Sequence, residues 1–114
     1  MITFACKKIK QEEFIRCSFN LNKTEYNILM FLLKKNQKCS VIQMAEAMNL
    51  ERTTVQKAIK SLLSKKLVRK WKRNLAKGGC LYLYIVIDKE DIKKNMRDII
   101  YRWYQEIEKQ IKNL

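Results

Sequence analysis

The residues that could do chemistry in this chain are its lysines and arginines, which crowd into one segment. Between Glu51 and Lys77 lie ten of the 25 Lys and Arg residues and a single acid, whereas bases and acids are nearly balanced over residues 88–114. Lysine is most often used to solvate surface helices, but that use does not explain why acids disappear only here. Cations concentrated in this way favour binding to a polyanion.

Residue patterns that would support catalysis or metal binding are missing from the sequence. There is no histidine, no glycine-rich phosphate loop and no spaced cluster of acids. The cysteines never form a Cys-x-x-Cys pair, so zinc is not predicted. We therefore predict a protein that is not an enzyme and has no metal or other cofactor. We expect buried free thiols at Cys6, Cys17, Cys39 and Cys80. The alternative is an intersubunit or thermophile-type disulfide.

Length and composition predict one domain outside the membrane. A chain of 114 residues, 47% of them apolar, can fold around a single modest core. Its longest apolar runs, residues 28–33 and 80–87, are too short to cross a bilayer. The N-terminus lacks the order of segments that marks a secretion signal. We expect a cytoplasmic protein with no membrane partner.

Two capping boxes mark the start of helices. Asn22 precedes Glu25 by three residues, and Ser40 precedes Gln43 by the same spacing. The first helix is expected to end near Asn36, and the second helix is short. The inward-facing residues of the short helix are predicted to be Val41, Ile42, Ala45 and Met48.

A third helix is predicted over residues 51–66 by an apolar stripe at helical spacing, formed by Val55, Ala58, Ile59, Leu62 and Leu63. The opposite face is polar and cationic. A short helix, a tight turn and a longer helix with such a face form a helix-turn-helix pattern.

A β-hairpin is predicted next, over residues 67–73 and 80–87, with its turn at Gly78 and Gly79. In the second strand an apolar set alternates with Tyr82, Tyr84 and Val86, and we expect the hairpin to pack on the helices. The first strand is strongly basic, so the hairpin can reach a phosphate backbone or a minor groove beside the third helix. That is the geometry of a wing, and the polyanion we expect is double-stranded DNA. The apolar set is Leu81, Leu83, Ile85 and Ile87.

Residues 21–87 resemble the winged-helix regulators of the MarR and TrmB type. The matching stretches are Leu-Asn-Lys-Thr-Glu-Tyr-Asn-Ile-Leu from residue 21, Met-Ala-Glu-Ala-Met-Asn-Leu-Glu-Arg-Thr-Thr-Val-Gln-Lys-Ala-Ile-Lys-Ser-Leu from residue 44, and Leu-Val-Arg-Lys from residue 67. TrmB proteins proper carry a sugar-binding region after the winged helix, whereas here one long helix follows. The resemblance therefore does not predict that this chain senses sugars.

The resemblance implies a transcriptional regulator that binds double-stranded DNA as a homodimer, with the third helix in the major groove. By position, the recognition helix matches Arg52, Thr53, Thr54, Gln56, Lys57 and Lys60. The wing matches Arg69, Lys72, Arg73 and Lys77. The predicted fold is mainly α with a small β-hairpin, a winged helix-turn-helix with an additional N-terminal helix and a long C-terminal helix.

A final helix is predicted over about residues 88–113. It carries a long apolar stripe and extends from a domain whose core is small. We expect it to be buried against a second copy, although it could instead fold back on its own domain. The stripe consists of Ile92, Met96, Ile99, Trp103, Ile107, Ile111 and Leu114. The predicted organisation is an N-terminal helical extension at the dimer contact over residues 1–20, a winged-helix DNA-binding domain over 21–87, and a dimerisation helix over 88–114.

The predicted mechanism is occupancy of an operator with two half-sites about one DNA turn apart. Gln56 could pair with adenine and Arg52 with guanine, while the methyl groups of Thr53 and Thr54 could touch thymine methyls. Lysines of the third helix and the wing cations should contact phosphates. The alternative is a winged-helix module that binds RNA or a protein partner through Trp71, Tyr82 and Tyr84.

Overall fold

The computed structural model describes residues 1–114 and has five helices and two small antiparallel sheets. In chain order the elements are β1 (Ile2–Thr3), β2 (Lys8–Ile9), α1 (Gln11–Phe19), α2 (Lys23–Lys35), α3 (Val41–Met48), α4 (Arg52–Ser64), β3 (Val68–Asn74), β4 (Cys80–Val86) and α5 (Lys89–Lys112). Two compact units result, one formed by Asn22–Ile87 and the other by Met1–Leu21 together with Asp88–Leu114. The predicted fold class is confirmed. None of the helices combines the length and the apolar composition needed to cross a bilayer.

The Asn22–Ile87 unit is a winged helix-turn-helix whose first two helices begin as predicted. The Asn22 side chain accepts a hydrogen bond from the Glu25 backbone N–H at 2.8 Å, and the Glu25 carboxylate accepts one from the Asn22 N–H at 2.8 Å. Ser40 and Gln43 form the same reciprocal pair at 3.2 and 2.8 Å. Each capping box satisfies backbone donors that have no partner inside the helix, which fixes where the helix starts.

Helices α2 and α3 both end on an asparagine in the left-handed conformation. Asn36 has φ of 49° and Asn49 has φ of 54°. Asparagine tolerates this region better than other residues with a side chain, so it can end a helix where no glycine is present. The turn at Asn49 leads directly into α4 and completes the helix-turn-helix.

The core of this unit is formed by α2, α3, α4 and the base of the β3–β4 hairpin. Its largest fully buried side chains are Ile28, Leu29, Leu32, Met44, Val55, Ile59, Leu62 and Leu67. In α4 the predicted stripe is buried except for Leu63, which is half-buried. In α3 the prediction is wrong for Ile42, which is exposed, while Met44 is buried in its place. A two-turn helix that is apolar on most sides can pack with more than one face toward the core. The spacing of its apolar residues therefore does not determine which of them is buried.

The β3–β4 hairpin is the predicted wing, with a short extension of its sheet at Cys39. Cys39 and Tyr84 exchange two backbone hydrogen bonds, 2.8 and 2.7 Å long, along the free edge of β4. At the tip, Gly78 and Gly79 have φ of 89° and 79°, which side-chain-bearing residues rarely adopt.

The side of β4 that enters the core is the one that carries the tyrosines. Tyr84 and Val86 are buried, whereas Leu81, Leu83 and Ile85 lie on the opposite face and are only half-buried. The predicted alternation is present, and Ile87, just after the strand, is buried as well. A tyrosine ring is large and mostly apolar, so it can fill a core position beside Val68 as well as a leucine does.

The other unit combines α1 and α5 with a small ribbon. The predicted helix over residues 1–20 is wrong for its first half, because β1 and β2 pair there with Ile2 opposite Ile9. A backbone hydrogen bond of 2.8 Å from Phe4 to Lys7 closes the turn between them. β-branched residues on both strands favour this pairing over a helix. Helix α1 packs against α5, and Asp88 is the N-cap of α5, with a side chain that accepts from the Glu90 N–H at 3.4 Å.

Candidate nucleic-acid interface

The outer face of α4 presents the side chains that the sequence assigned to DNA reading. Five of them, Thr53, Thr54, Gln56, Lys57 and Lys60, line one open depression of about 450 Å³. All five are exposed except Thr54, which is half-buried, and Arg52 is exposed at the start of the same helix. The buried stripe on the opposite side of α4 holds this face outward, so the predicted recognition residues are brought together.

The cations of this face are not paired with acids of the chain. Arg52, Lys57 and Lys60 form no ion pair with any acid of the chain. Glu51, the one acid of the segment, lies at the N-terminal end of the helix, just before Arg52. Unpaired exposed cations keep their full attraction for phosphate oxygens, which suits this surface to a polyanion.

A buried carboxylate, that of Glu25, ties the last turn of α4 to the start of α2. Glu25 is 6% exposed. Besides capping α2, its carboxylate lies 3.9 Å from the Lys65 Nζ and interacts with the Ser61 hydroxyl. Burial alone would raise the pKa of Glu25, but the hydrogen bonds from Ser61 and the Asn22 N–H, together with the Lys65 charge, outweigh burial and lower the pKa.

The lowered pKa of Glu25 predicts a loss of stability in acid. A carboxyl whose pKa is lower in the folded chain stabilises the fold fully above its ordinary value of 4.5 and loses that effect as pH falls through the lowered value. Glu25→Gln should therefore unfold at a lower temperature than the parent near neutral pH, and the two midpoints should converge in acid. Thermal unfolding followed by circular dichroism at both pH values measures this. A difference in unfolding temperature that is the same at both pH values would contradict a lowered pKa for Glu25.

The wing cations do not all share one surface. Cross-strand partners lie on the same face of a sheet, and β3 pairs Arg69 with Ile85 and Arg73 with Leu81, but Lys72 with Tyr82. Arg69 and Arg73 therefore lie on the face that carries Trp71, here called the Trp71 face. Lys72 lies on the opposite face, the Tyr82 face, which also carries Lys70, a cation that the sequence-based prediction did not select. The strict alternation of a strand required this division.

The tip of the wing holds the last predicted cation, Lys77, between β3 and β4. Lys77 is exposed and forms no ion pair, as is also true of the three predicted strand cations. The wing is therefore cationic on both faces and at its end. A narrow ribbon of this kind can contact phosphates on either side of a groove.

The aromatic residues of the hairpin do not form a single stacking platform. Trp71 is 51% exposed and has the Lys38 Nζ 3.8 Å from its ring centroid. Tyr82 lies on the opposite face under the Lys70 Nζ, at 4.1 Å, and Tyr84 is buried. Stacking of successive bases needs neighbouring free aromatic faces. This arrangement does not favour the alternative in which these residues bind RNA.

The cysteines and acids provide no metal site. No group of three or more Cys, Asp or Glu side chains is placed to hold an ion. All four thiols are free, and only Cys39 is buried, so the expectation of buried thiols is wrong for Cys6, Cys17 and Cys80. Burial raises the pKa of Cys39. The other three lie on the first ribbon, on the outer side of α1 and at the wing tip, where a small apolar side chain is tolerated at the surface.

The predicted dimer stripe on α5 is progressively exposed along the helix. Ile92 is buried within the chain, Met96 and Ile99 are half-buried, and Trp103 is 55% exposed. Ile107, Ile111 and Leu114 are exposed as well, and so is Tyr104, which the predicted stripe left out. Ile92 is thus a core residue of its own chain, while the second half of the stripe is uncovered.

Comparison with known proteins places the fold among transcriptional regulators. Residues 19–73 match the MarR family. A relative from Methanocaldococcus jannaschii, the uncharacterized protein MJ1082, is 34% identical over 103 residues, which cover 90% of this chain and 84% of the relative. A possible transcriptional regulator from Methanosarcina mazei superposes with a TM-score of 0.92 at 29% identity, covering 99% of this chain and 95% of the other. Staphylococcus aureus MarR, in complex with salicylate and kanamycin, shares the fold with a TM-score of 0.55 at 17% identity, covering 87% of this chain and 65% of that one.

Proposed function

Because this chain belongs to the MarR family of winged-helix, DNA-binding transcriptional regulators, which are not enzymes, we propose that it is a sequence-specific regulator. It acts as a homodimer on double-stranded DNA, with α4 in the major groove and the wing on the backbone or in the minor groove. The observation that carries this proposal is the outer face of α4, where exposed polar and cationic side chains lie together without an acid to neutralise them.

The charge of the whole unit supports the same partner. Asn22–Ile87 contains three acids, Glu25, Glu46 and Glu51, against fourteen Lys and Arg residues. Glu25 is buried and contacts Ser61 and Lys65, so it adds little negative charge to the surface. The surface of the unit is therefore strongly positive, which attracts DNA over a distance of about 10 Å at moderate salt.

Different side chains of the interface are assigned different roles. Gln56 can form two hydrogen bonds to an adenine edge, and Arg52 can do the same to guanine. The methyl groups of Thr53 and Thr54 can contact thymine methyls. Contacts to phosphates, which position the protein but carry no sequence information, fall to the remaining cations. These are Lys57, Lys60, Arg69, Lys72, Arg73 and Lys77.

A second copy of this chain is the partner proposed for α5. The exposed residues Trp103, Ile107 and Ile111 continue the stripe that begins with buried and half-buried residues. Large apolar side chains in one uncovered row are uncommon on a monomer and are stabilised by burial. Residues 1–20 are proposed to add to this contact, because Phe14, Ile15 and Phe19 of α1 are only half-buried in the single chain. A dimer would place two α4 helices to face the two half-sites of an operator.

The proposed function is tested by competition between nucleic acids. A labelled operator duplex is bound at near-physiological salt and challenged with unrelated duplex DNA, single-stranded RNA and duplex RNA. A sequence-specific regulator should prefer its operator by about 10³-fold or more over every competitor. Equal competition by RNA and DNA would contradict the proposal.

Lys72→Ala tests whether the wing touches the backbone. The structure leaves Lys72 exposed and without an acid partner, so its removal should weaken binding to all DNA sequences alike. The slope of log affinity against log salt concentration should fall by about one unit for each lysine–phosphate pair that the substitution removes. Fluorescence anisotropy over a salt series measures the slope. Lys94→Ala, a change at an exposed lysine of α5, is the control and should leave the slope unchanged. An unchanged slope in Lys72→Ala would place this residue away from DNA.

A further inference from the structure

Capping α2 does not require a charged residue at position 25. In the second capping box of the same chain, the uncharged side chain of Gln43 accepts from the Ser40 N–H at 2.8 Å, the distance at which Glu25 accepts from Asn22. A buried carboxylate loses hydration that a glutamine amide would lose to a smaller extent. The charge of Glu25 is therefore explained by its other contacts, which are with Ser61 and Lys65 of α4's last turn and C-cap.

These contacts add to the orientation that the apolar core already gives α4. The buried apolar stripe determines which side of α4 faces outward, and the contacts of Glu25 with the last turn and C-cap of α4 add a polar constraint on the same rotation. The attraction between a buried carboxylate and its polar partners weakens as they move apart, so these contacts favour one rotation of α4. Ser61 lies one turn after Lys57 on α4, so a rotation of the helix at Ser61 moves the side chains that face DNA. Direct reading of bases fails when those side chains are displaced by about 1 Å.

We propose that Glu25 is a positioning residue that sets the rotation of α4 and thereby the specificity of DNA reading. The inference rests on the proposed function, since it assigns a role within that same interface. Glu25 itself is buried beneath α4 and touches no DNA. Its loss should therefore affect discrimination between sequences and not the electrostatic part of binding.

Glu25→Gln keeps a capping acceptor but removes the charge. For this variant and the parent, dissociation constants are measured for the operator and for a scrambled duplex, together with unfolding curves that give the folded fraction. The ratio of the dissociation constant for the scrambled duplex to that for the operator should fall about tenfold in Glu25→Gln. The salt slope measured on the scrambled duplex should stay the same. Asn22→Ala, which removes the side-chain half of the capping box, should lower stability and leave the ratio unchanged.

A second pair of variants decides the question even if Glu25→Gln does not fold. Ser61→Ala removes one partner of Glu25, and Ser64→Ala is the matched change at an exposed serine of the same helix. The ratio should fall severalfold in Ser61→Ala and remain at the parent value in Ser64→Ala. Parent-like ratios in Ser61→Ala, or in folded Glu25→Gln, would overturn the inference. A parent protein that discriminates between no DNA sequences would instead refute the proposed function, so the two failures are distinguishable.

Discussion

Trp103→Asp is expected to convert the protein from a dimer to a monomer and to abolish tight operator binding. The Trp103 side chain is 55% exposed in the single chain, so a carboxylate there is tolerated by the monomer but would be buried unpaired in the proposed dimer. An unpaired buried charge costs several kcal/mol, which a helix-pair interface cannot offset. Each monomer would then hold one half-site, and affinity for the full operator should fall by about 10²- to 10⁴-fold.

Tyr101→Asp is the matched control for this experiment. Tyr101 is 63% exposed on the same helix, but a separation of two residues places it on nearly the opposite side from Trp103. Both variants introduce the same poor helix former and the same charge. Light scattering at micromolar concentration should therefore report a monomer for Trp103→Asp and a dimer for Tyr101→Asp. If the parent protein is itself a monomer, the proposed dimer is wrong.

Gln56→Ala is expected to weaken operator binding strongly and at a particular base. A bidentate contact to a base is worth about 1–3 kcal/mol, so the loss over two half-sites is about 2–6 kcal/mol, or roughly thirtyfold and more. Affinity for scrambled DNA should change little, because Gln56 carries no charge. Gln105→Ala, at an exposed position of α5, should bind the operator as the parent does.

The base read by Gln56 can be identified by combining protein and DNA changes. Each base pair of the half-site is exchanged in turn, and anisotropy gives the operator affinity of the parent and of Gln56→Ala. At the contacted adenine the two losses should not add, since either change alone removes the interaction. Additive losses at every base pair would show that Gln56 does not read a base.

The helices of the Asn22–Ile87 unit were predictable because their signals are local. The two capping boxes depend on side chains three residues apart, and the apolar stripe of α4 repeats over three turns. The glycines of the wing tip likewise mark a turn whose backbone needs positive φ. Signals of this kind act within a few residues, so tertiary packing rarely reverses them.

The choices that the sequence left open concern which face meets the core. In β4 both faces are apolar enough to be buried, and the packing of Tyr84 is decided by distant elements. The same is true of Ile42 and Met44 in α3. Ile92 is buried in its own chain, and a stripe pattern does not show at which residue of a helix burial within the chain ends and exposure begins. The strands β1 and β2 have two residues each, which is too short for a strand pattern to be recognised in the sequence.

The candidate site was predictable as a set of residues but not as a geometry. The cationic face of α4 follows from the helical period, and the structure brings its members together. The division of the wing cations between two faces follows from strand alternation and could have been predicted from the sequence at Lys72 and Arg73. The contact of Glu25 with Ser61 and Lys65 joins residues nearly forty positions apart, and no local pattern announces such a pair.

Selection of binding sites from a random pool of duplex DNA tests whether the chain reads a specific DNA sequence as a homodimer. A homodimer that reads DNA with α4 should enrich an inverted repeat whose half-site centres lie about 10–10.5 base pairs apart. The enriched duplex should then bind one dimer, with a mass of two chains on the DNA. A pool that shows no enrichment after repeated rounds, or that yields a single motif bound by one chain, would contradict the account.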